Sequence, residues 1–184
     1  MQKVITICSF LLASFCCYAQ NKMPSAEEVL KPVYAQAAKE NKKVLLIFHA
    51  SWCGWCHKMD TSLQDKNVQP LIEKYYITTH LTVYESKGKE ALNNPGALQL
   101  LTQHGGGDDQ GIPYWLVLDK EGTVLANSQY EPGHNSGCPA SEAEVTYFIS
   151  VLRKTSSLNE EELRVIEKRF RMNEQVRTSP QSSN

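Results

Sequence analysis

The pattern of apolar and polar positions in residues 24–50 predicts a helix followed by a buried strand. Apolar residues recur at helical spacing in 24–42, where Ser25 and Glu28 have the spacing of a capping box. Pro32 lies inside this predicted helix and is a place where it can kink. The segment KVLLIFHA that follows is almost continuously apolar, which is typical of a strand covered on both faces.

The middle of the chain continues the alternation of strands and helices. Residues 76–84 are rich in β-branched and aromatic side chains, which predicts a strand. Residues 112–130 predict two more strands, joined by a turn at 120–122. Helical patterns that connect or follow these strands are found in residues 56–65, 67–76, 97–104 and 141–157.

The end of the chain predicts an additional helix and a tail. Residues 158–174 place Leu163, Ile166 and Phe170 on one helical face. Residues 176–184 are polar and predict a disordered tail. We therefore expect a globular domain over residues 20–156, and a C-terminal helix with its tail over residues 157–184.

The first twenty residues have a different pattern. Lys3 precedes an apolar run from Val4 to Cys17, and the small residue Ala19 follows. This layout predicts a secretory signal peptide over residues 1–19, cleaved after Ala19. The run is shorter than the roughly 20 residues of a membrane-spanning helix. An uncleaved membrane anchor, or a lipid anchor on Cys16 or Cys17, is the alternative.

Cleavage of that segment changes the meaning of the cysteines. Six cysteines are encoded, and only Cys53, Cys56 and Cys138 follow residue 19. Few cysteines in an exported chain, two of them adjacent, favour redox chemistry over a disulfide framework. The formal net charge of −1 gives no reason to expect nucleic acid as a partner, or stable membrane insertion of the mature chain.

The segment HASWCGWCHKMD contains the chemistry of interest, and several readings of it are open. Cys53 and Cys56 could form a redox-active dithiol or an inert structural disulfide. With His57 they also match the C-x-x-C-H attachment site of a c-type haem. A zinc site needs four ligands, and these three residues are too close together to provide three of them easily. We expect no metal at this motif.

The segments FHASWCGWCHKM and GIPYWLVLDKEG resemble the thioredoxin superfamily, in particular thioredoxin-like proteins of bacterial envelopes. The resemblance covers roughly residues 25–156. It implies an α/β thioredoxin-like fold with a central mixed β-sheet flanked by helices, to which the C-terminal helix is an addition. It also implies that Pro113, which follows Ile112, is a cis-proline facing the cysteines.

The dithiol reading assigns a role to each cysteine. A helix that starts at Cys53 directs free N–H groups and its positive dipole end at that sulfur, which favours the thiolate. Cys53 is then the exposed nucleophile, and the more buried Cys56 resolves the mixed disulfide. Ile112 is expected to pair with an extended substrate strand.

Two tryptophans and two histidines are further candidates. Trp52 and Trp55 would form an apolar rim for clients, with core packing as the alternative, more so for Trp52. Members of the family usually have a buried acid six residues before the first cysteine, where this chain has Ile47. His49 and His80 are therefore candidates for a proton relay, with water as the alternative acceptor.

The sequence thus predicts an exported thiol–disulfide oxidoreductase that needs no cofactor. Its expected partners are protein or peptide disulfides or dithiols, and a redox partner whose identity the sequence does not give. The expected location is the periplasm or the medium. Two other functions are open: a thioredoxin-like module that binds clients without catalysis, and a c-type haem protein.

Overall fold

The computed structural model describes residues 22–178. The predicted signal peptide and residues 179–184 of the predicted tail lie outside this range. The helices are α1 (Ala26–Glu40), α2 (Gly54–Leu63), α3 (Gln69–Glu73), α4 (Ala97–Gln103), α5 (Glu142–Thr155) and α6 (Glu160–Thr178), with one turn of 3₁₀-helix at Glu90–Leu92. The strands are β1 (Lys43–His49), β2 (Tyr76–Thr82), β3 (Tyr114–Leu118), β4 (Val124–Asn127), β5 (Gln129–Glu131) and β6 (His134–Asn135).

Four strands form the central sheet in the order β2–β1–β3–β4. β1 runs parallel to β2 and antiparallel to β3, and β3 runs antiparallel to β4. In this register Ile47 lies between His80 on β2 and Trp115 on β3. The predicted mixed sheet flanked by helices is therefore confirmed. A separate two-stranded ribbon of β5 and β6 was not predicted by the sequence pattern.

The sheet is covered on both faces. One core lies between the sheet and helices α2, α3, α5 and α6, and it contains Leu45, Ile47 and Trp115. The other lies between the sheet and helices α1 and α4, and it contains Val44 and Leu46. Residues 44–48 of β1 are all buried, as the continuous apolar run predicts.

The helix ends follow the capping signals in the sequence. Ser25 and Glu28 form a capping box at the start of α1, and Ser141 and Glu144 form another at the start of α5. Helix α1 continues through Pro32 to Glu40. The additional C-terminal helix is present as α6, whose buried Leu163, Ile166 and Phe170 belong to the first core.

Residues 22–178 contain no helix that is both long enough and apolar enough to cross a membrane.

Candidate active site

Cys53 and Cys56 lie where β1 gives way to α2. Cys53 is the N-cap residue of α2 and is joined to Cys56 by a disulfide bond, with Cα atoms 5.2 Å apart. The backbone N–H of Cys56 donates to Cys53 Sγ over 3.1 Å. After reduction, this donor and the positive end of the helix would both favour a thiolate on Cys53.

The surroundings of the two sulfurs differ from the sequence prediction in one respect. Cys53 was expected to be exposed, but its side chain is only 4% exposed, and that of Cys56 is 1% exposed. The two cysteines form a small cluster with buried Ala50, against which Trp55 and Ile112 pack. This packing encloses Cys53 more than the sequence pattern indicates.

The segment before β3 forms the opposite wall of the site. The Ile112–Pro113 peptide bond is cis, as the family resemblance implies. The Ile112 carbonyl oxygen lies 3.6 Å from Cys53 Sγ, and Pro113 is buried. Residues that are 59 positions apart in the chain therefore meet at the Cys53 sulfur.

The two tryptophans of the predicted apolar rim differ in burial. Trp52 is 57% exposed, so its side chain is not packed in the core. Its indole N–H donates to the Tyr84 carbonyl over 2.7 Å, which holds the ring outside the core. Trp55 is half-buried between the main core and the cysteine cluster, and Lys58 Nζ lies 3.9 Å from the centre of its ring. Trp52 is thus the more accessible apolar surface beside the disulfide.

The two candidate relay histidines lie together, and His80 bonds to Asp60, a residue that the sequence analysis did not single out. His80 Nε2 is 2.8 Å from Asp60 Oδ1, and the His49 and His80 ring centres are 4.8 Å apart. Asp60 lies four residues after Cys56 on α2, so it is on the same side of that helix. A cavity of about 230 Å³ opens beside Asp60 and His80, which gives water access to the cluster.

Burial lowers the pKa of His49 below its ordinary value, and His80 and His57 add to this effect. The carboxylates of Asp60 and Glu85 oppose it. The net effect favours a neutral His49 imidazole, which is the form that can accept a proton.

Among the described residues, His49, Asp60 and His80 are the group whose side chains could together bind a metal ion. Their potential ligand atoms all lie within 4.8 Å of one another. The protein itself already occupies these atoms. His80 and Asp60 bond to each other, and His49 Nε2 lies 3.3 Å from Thr82 Oγ1. We therefore interpret the arrangement as a His80–Asp60 hydrogen bond with the His49 ring packed beside it.

His57 and Cys138 both make contacts that support the fold. His57 is exposed, and its Nε2 lies 3.0 Å from the Ser51 carbonyl oxygen, so it closes the first turn of α2. Cys138 is buried, and its sulfur accepts a hydrogen bond from Asn173 Nδ2 over 3.4 Å. The surface is an ordinary place for a histidine, and a lone cysteine is often a small buried apolar residue.

Sequence reasoning missed one further residue beside the disulfide. Glu85, three residues beyond the end of β2, is a buried acid that accepts hydrogen bonds from Ser51. The one sequence signal that could have found it is its place at the end of a strand that runs parallel to β1, because such ends meet at one edge of a sheet.

Comparisons with known proteins agree with this geometry. The family model for a thioredoxin-like domain matches residues 30–134, which is more than half of the chain. No curated protein gives a significant match to the sequence.

Several solved structures are similar to parts of this chain. A disulphide isomerase from Xylella fastidiosa Temecula1 is 26% identical, with 53% of this chain and 69% of that chain covered at a TM-score of 0.44. The C-terminal domain of Neisseria meningitidis DsbD in the oxidised form is 22% identical, with 72% and 98% covered at a TM-score of 0.44. A thioredoxin from Thermus thermophilus is 19% identical, with 72% and 85% covered at a TM-score of 0.41.

Proposed function

We propose that this chain, which belongs to the thioredoxin-like domain family, acts on disulfides or dithiols of exported proteins or peptides. Its general activity is that of a thiol–disulfide oxidoreductase. One observation supports this most directly. The Cys53–Cys56 disulfide lies at the N-terminus of α2, with Cys53 Sγ 3.6 Å from the Ile112 carbonyl oxygen. A helix N-terminus supports the thiolate chemistry, and the adjacent backbone offers a docking position for an extended chain.

In the reducing direction, the reaction has two exchange steps. The Cys53 thiolate attacks one sulfur of a substrate disulfide, and a mixed disulfide forms as the other substrate sulfur leaves as a thiolate and takes up a proton. The Cys56 thiol then loses its proton and attacks Cys53 Sγ. This second step releases the remaining substrate sulfur as a thiolate and leaves the Cys53–Cys56 disulfide. Two electrons pass to the substrate, and the reverse sequence oxidises a dithiol.

The substrate would lie across the site between Trp52 and the Ile112–Pro113 segment. Trp52 offers exposed apolar area, and Trp55 forms part of the floor beside the cysteines. The Ile112 backbone can pair with an extended peptide, as in other cases of β-augmentation. A flexible or unfolded client fits this arrangement because its disulfide can approach in an extended conformation.

The second step needs an acceptor for the Cys56 proton, and we propose that the His49, His80 and Asp60 cluster provides it through water. Ile47, in the position of the usual family acid, cannot accept a proton. The register places His80 directly beside Ile47, and Asp60 follows Cys56 by one helical turn. The charged and titratable neighbours that act on His49 are His80, Asp60, Glu85 and His57.

The proposed location is the periplasm or the medium, after removal of residues 1–19. The support for this comes from the sequence pattern of that segment. The mass of the chain recovered from a periplasmic fraction tests it, because cleavage after Ala19 leaves a chain that begins at Gln20. A full-length mass would contradict the proposal.

The proposed roles of the cysteines are tested with single variants and a model protein disulfide such as insulin. Cys53→Ala should abolish reduction, because no nucleophile remains. Cys56→Ala should instead accumulate mixed disulfides with the client, visible as a mass adduct that a strong reductant removes. Cys138→Ala is the control and should retain turnover.

Other results of the same experiment favour other functions. A Cys56→Ala variant that turns over normally and forms no adduct would refute the assignment of roles. Binding of unfolded clients by wild type and Cys53→Ala alike, with no turnover in either, would favour a module that binds clients without catalysis.

A further inference from the structure

Tyr84 and Glu85, which follow β2, accept hydrogen bonds from Ser51 and Trp52 in the loop before Cys53. The backbone N–H of Ser51 donates to Glu85 Oε1 over 2.6 Å, and the Ser51 hydroxyl donates to Glu85 Oε2 over 2.8 Å. The indole N–H of Trp52 donates to the Tyr84 carbonyl over 2.7 Å. Three hydrogen bonds therefore fix the two residues that directly precede the nucleophile.

Glu85 is an unusual residue for this task because its carboxylate is buried. The residue is 8% exposed, and within residues 22–178 no lysine or arginine forms a salt bridge with it. Burial alone would raise its pKa, but the two hydrogen bonds from Ser51, the positive charge of Lys89 and a hydrogen bond from the Ser86 backbone lower the pKa below its ordinary value. The group is therefore a carboxylate at neutral pH, and its largest stabilising contacts are the donors of the active-site loop.

The segment that carries Glu85 is itself held in place. The Glu85 backbone N–H donates to Asn93 Oδ1 over 3.0 Å. Asn94, one residue further, accepts from the Thr82 N–H and donates to the Pro24 carbonyl. Tyr84 has a φ of 55°, a left-handed conformation that is rare for a non-glycine residue and persists only where its surroundings impose it. The carboxylate is thus presented from a rigid support.

We propose that Glu85 is a positioning residue that fixes the loop before Cys53 and, through its negative charge, stabilises the protonated form of the Cys53 thiol. The charge opposes the N-terminus of α2, which stabilises the thiolate. The opposing effects of the Glu85 charge and the α2 N-terminus therefore determine what fraction of Cys53 is thiolate at a given pH. This inference rests on the proposed function, because it concerns the reactivity of the same thiol.

Two substitutions separate the position from the charge. In Glu85→Gln the amide oxygen can accept from the Ser51 N–H, and the amide nitrogen can donate to the Ser51 hydroxyl, so the geometry is kept and the charge is lost. Glu85→Ala loses both. Glu90→Gln is the matched control, because Glu90 is an exposed carboxylate of the same segment that bonds only to the nearby Gly88 N–H.

The first measurement is the rate of alkylation of reduced protein by iodoacetamide between pH 4 and 10, with mass spectrometry to score Cys53. Loss of a nearby negative charge should move the midpoint of the rate profile of Glu85→Gln about half a pH unit lower, which is roughly a threefold gain in thiolate below the midpoint. Glu90→Gln should match the wild type. This measurement needs no turnover, so it gives a result even if the proposed function fails in the insulin assay.

The second measurement concerns position. Hydrogen exchange of the Ser51 amide should be about tenfold faster in Glu85→Ala and near the wild-type rate in Glu85→Gln. The kcat/KM for a protein disulfide should fall in Glu85→Ala and be largely restored in Glu85→Gln. A Glu85→Gln profile that superimposes on the wild type would overturn the role of the charge, and unchanged Ser51 exchange in Glu85→Ala would overturn the role in positioning.

Discussion

Phe170 on α6 tests whether the C-terminal helix is part of the folded core. Its side chain is fully buried, and its ring centre lies 4.9 Å from that of Phe148 on α5. Leu163 and Ile166 of the same helix are buried beside it in the main core. If α6 is integral, removal of the Phe170 ring leaves a cavity that these neighbours can fill only in part.

The expected size of the effect follows from this burial. Truncation of a fully buried phenylalanine to alanine costs about 3–5 kcal/mol of unfolding free energy. A domain of this size has roughly 5–15 kcal/mol in total, so Phe170→Ala should remove a large share. With a slope of about 2 kcal/mol per molar urea, the unfolding midpoint should fall by about 2 M.

Urea unfolding followed by tryptophan fluorescence measures this shift. Met172→Ala, on the same helix, is the control because Met172 is 52% exposed and should change the unfolding free energy by no more than about 0.5 kcal/mol. A loss below about 1 kcal/mol for Phe170→Ala, close to the control, would refute the packing argument. It would mean that α6 is only loosely attached to the domain.

Three further predictions concern the site. In stopped-flow measurements of mixed-disulfide resolution from pH 5 to 8, the wild-type rate should fall as the pH drops. The His80→Ala variant should be about tenfold slower at pH 7, and its rate should not depend on pH. A pH profile in His80→Ala that matches the wild type would leave water as the proton acceptor. Trp52→Ala should raise the KM for a protein disulfide about threefold or more, because exposed apolar area is lost, whereas exposed Leu125→Ala on β4 should not. The pKa of Glu85 is lower in the folded protein than in the unfolded chain, so its stabilisation is present at neutral pH and is lost as pH falls through the folded value. The difference between the urea midpoints of wild type and Glu85→Gln should therefore be constant at neutral pH and should shrink as the pH falls below the ordinary carboxyl pKa of about 4.5, and a difference that stays constant in acid would contradict this.

The helices and strands that could be predicted from the sequence are those with a long periodic or continuous pattern. The apolar run of β1 and the two capping boxes predict a buried strand and the starts of α1 and α5, because each signal lies within a few residues of the element it specifies. Strands β5 and β6 have three and two residues, which is too short for an alternating pattern to be recognised.

The site divides in the same way between local and long-range features. The Cys53–Cys56 pair and its place at a helix start could be predicted from adjacent residues, and the family resemblance supplied the approach of Ile112. Glu85 was missed because it meets Ser51 across 34 residues of sequence and a charged residue is ordinarily expected on the surface; its position after a strand is the one signal that pointed to it. The hydrogen bond that holds Trp52 outside the core could not be predicted either, because its acceptor is the Tyr84 carbonyl, 32 residues away in the sequence.

The burial of Cys138 separates the third cysteine of the described residues from the Cys53–Cys56 pair. Its neighbour Gly137 lies against Pro113, so the thiol is close to the catalytic region in the fold, yet it is only 2% exposed and faces Asn173. Cys53 is also largely buried, but it lies at the N-terminus of α2 beside exposed Trp52, whereas Cys138 belongs to the main core and its sulfur is bonded to Asn173 of α6. We therefore expect thiol–disulfide exchange to be confined to the Cys53–Cys56 pair as long as α6 remains packed, and alternative pairings with Cys138 to require its release.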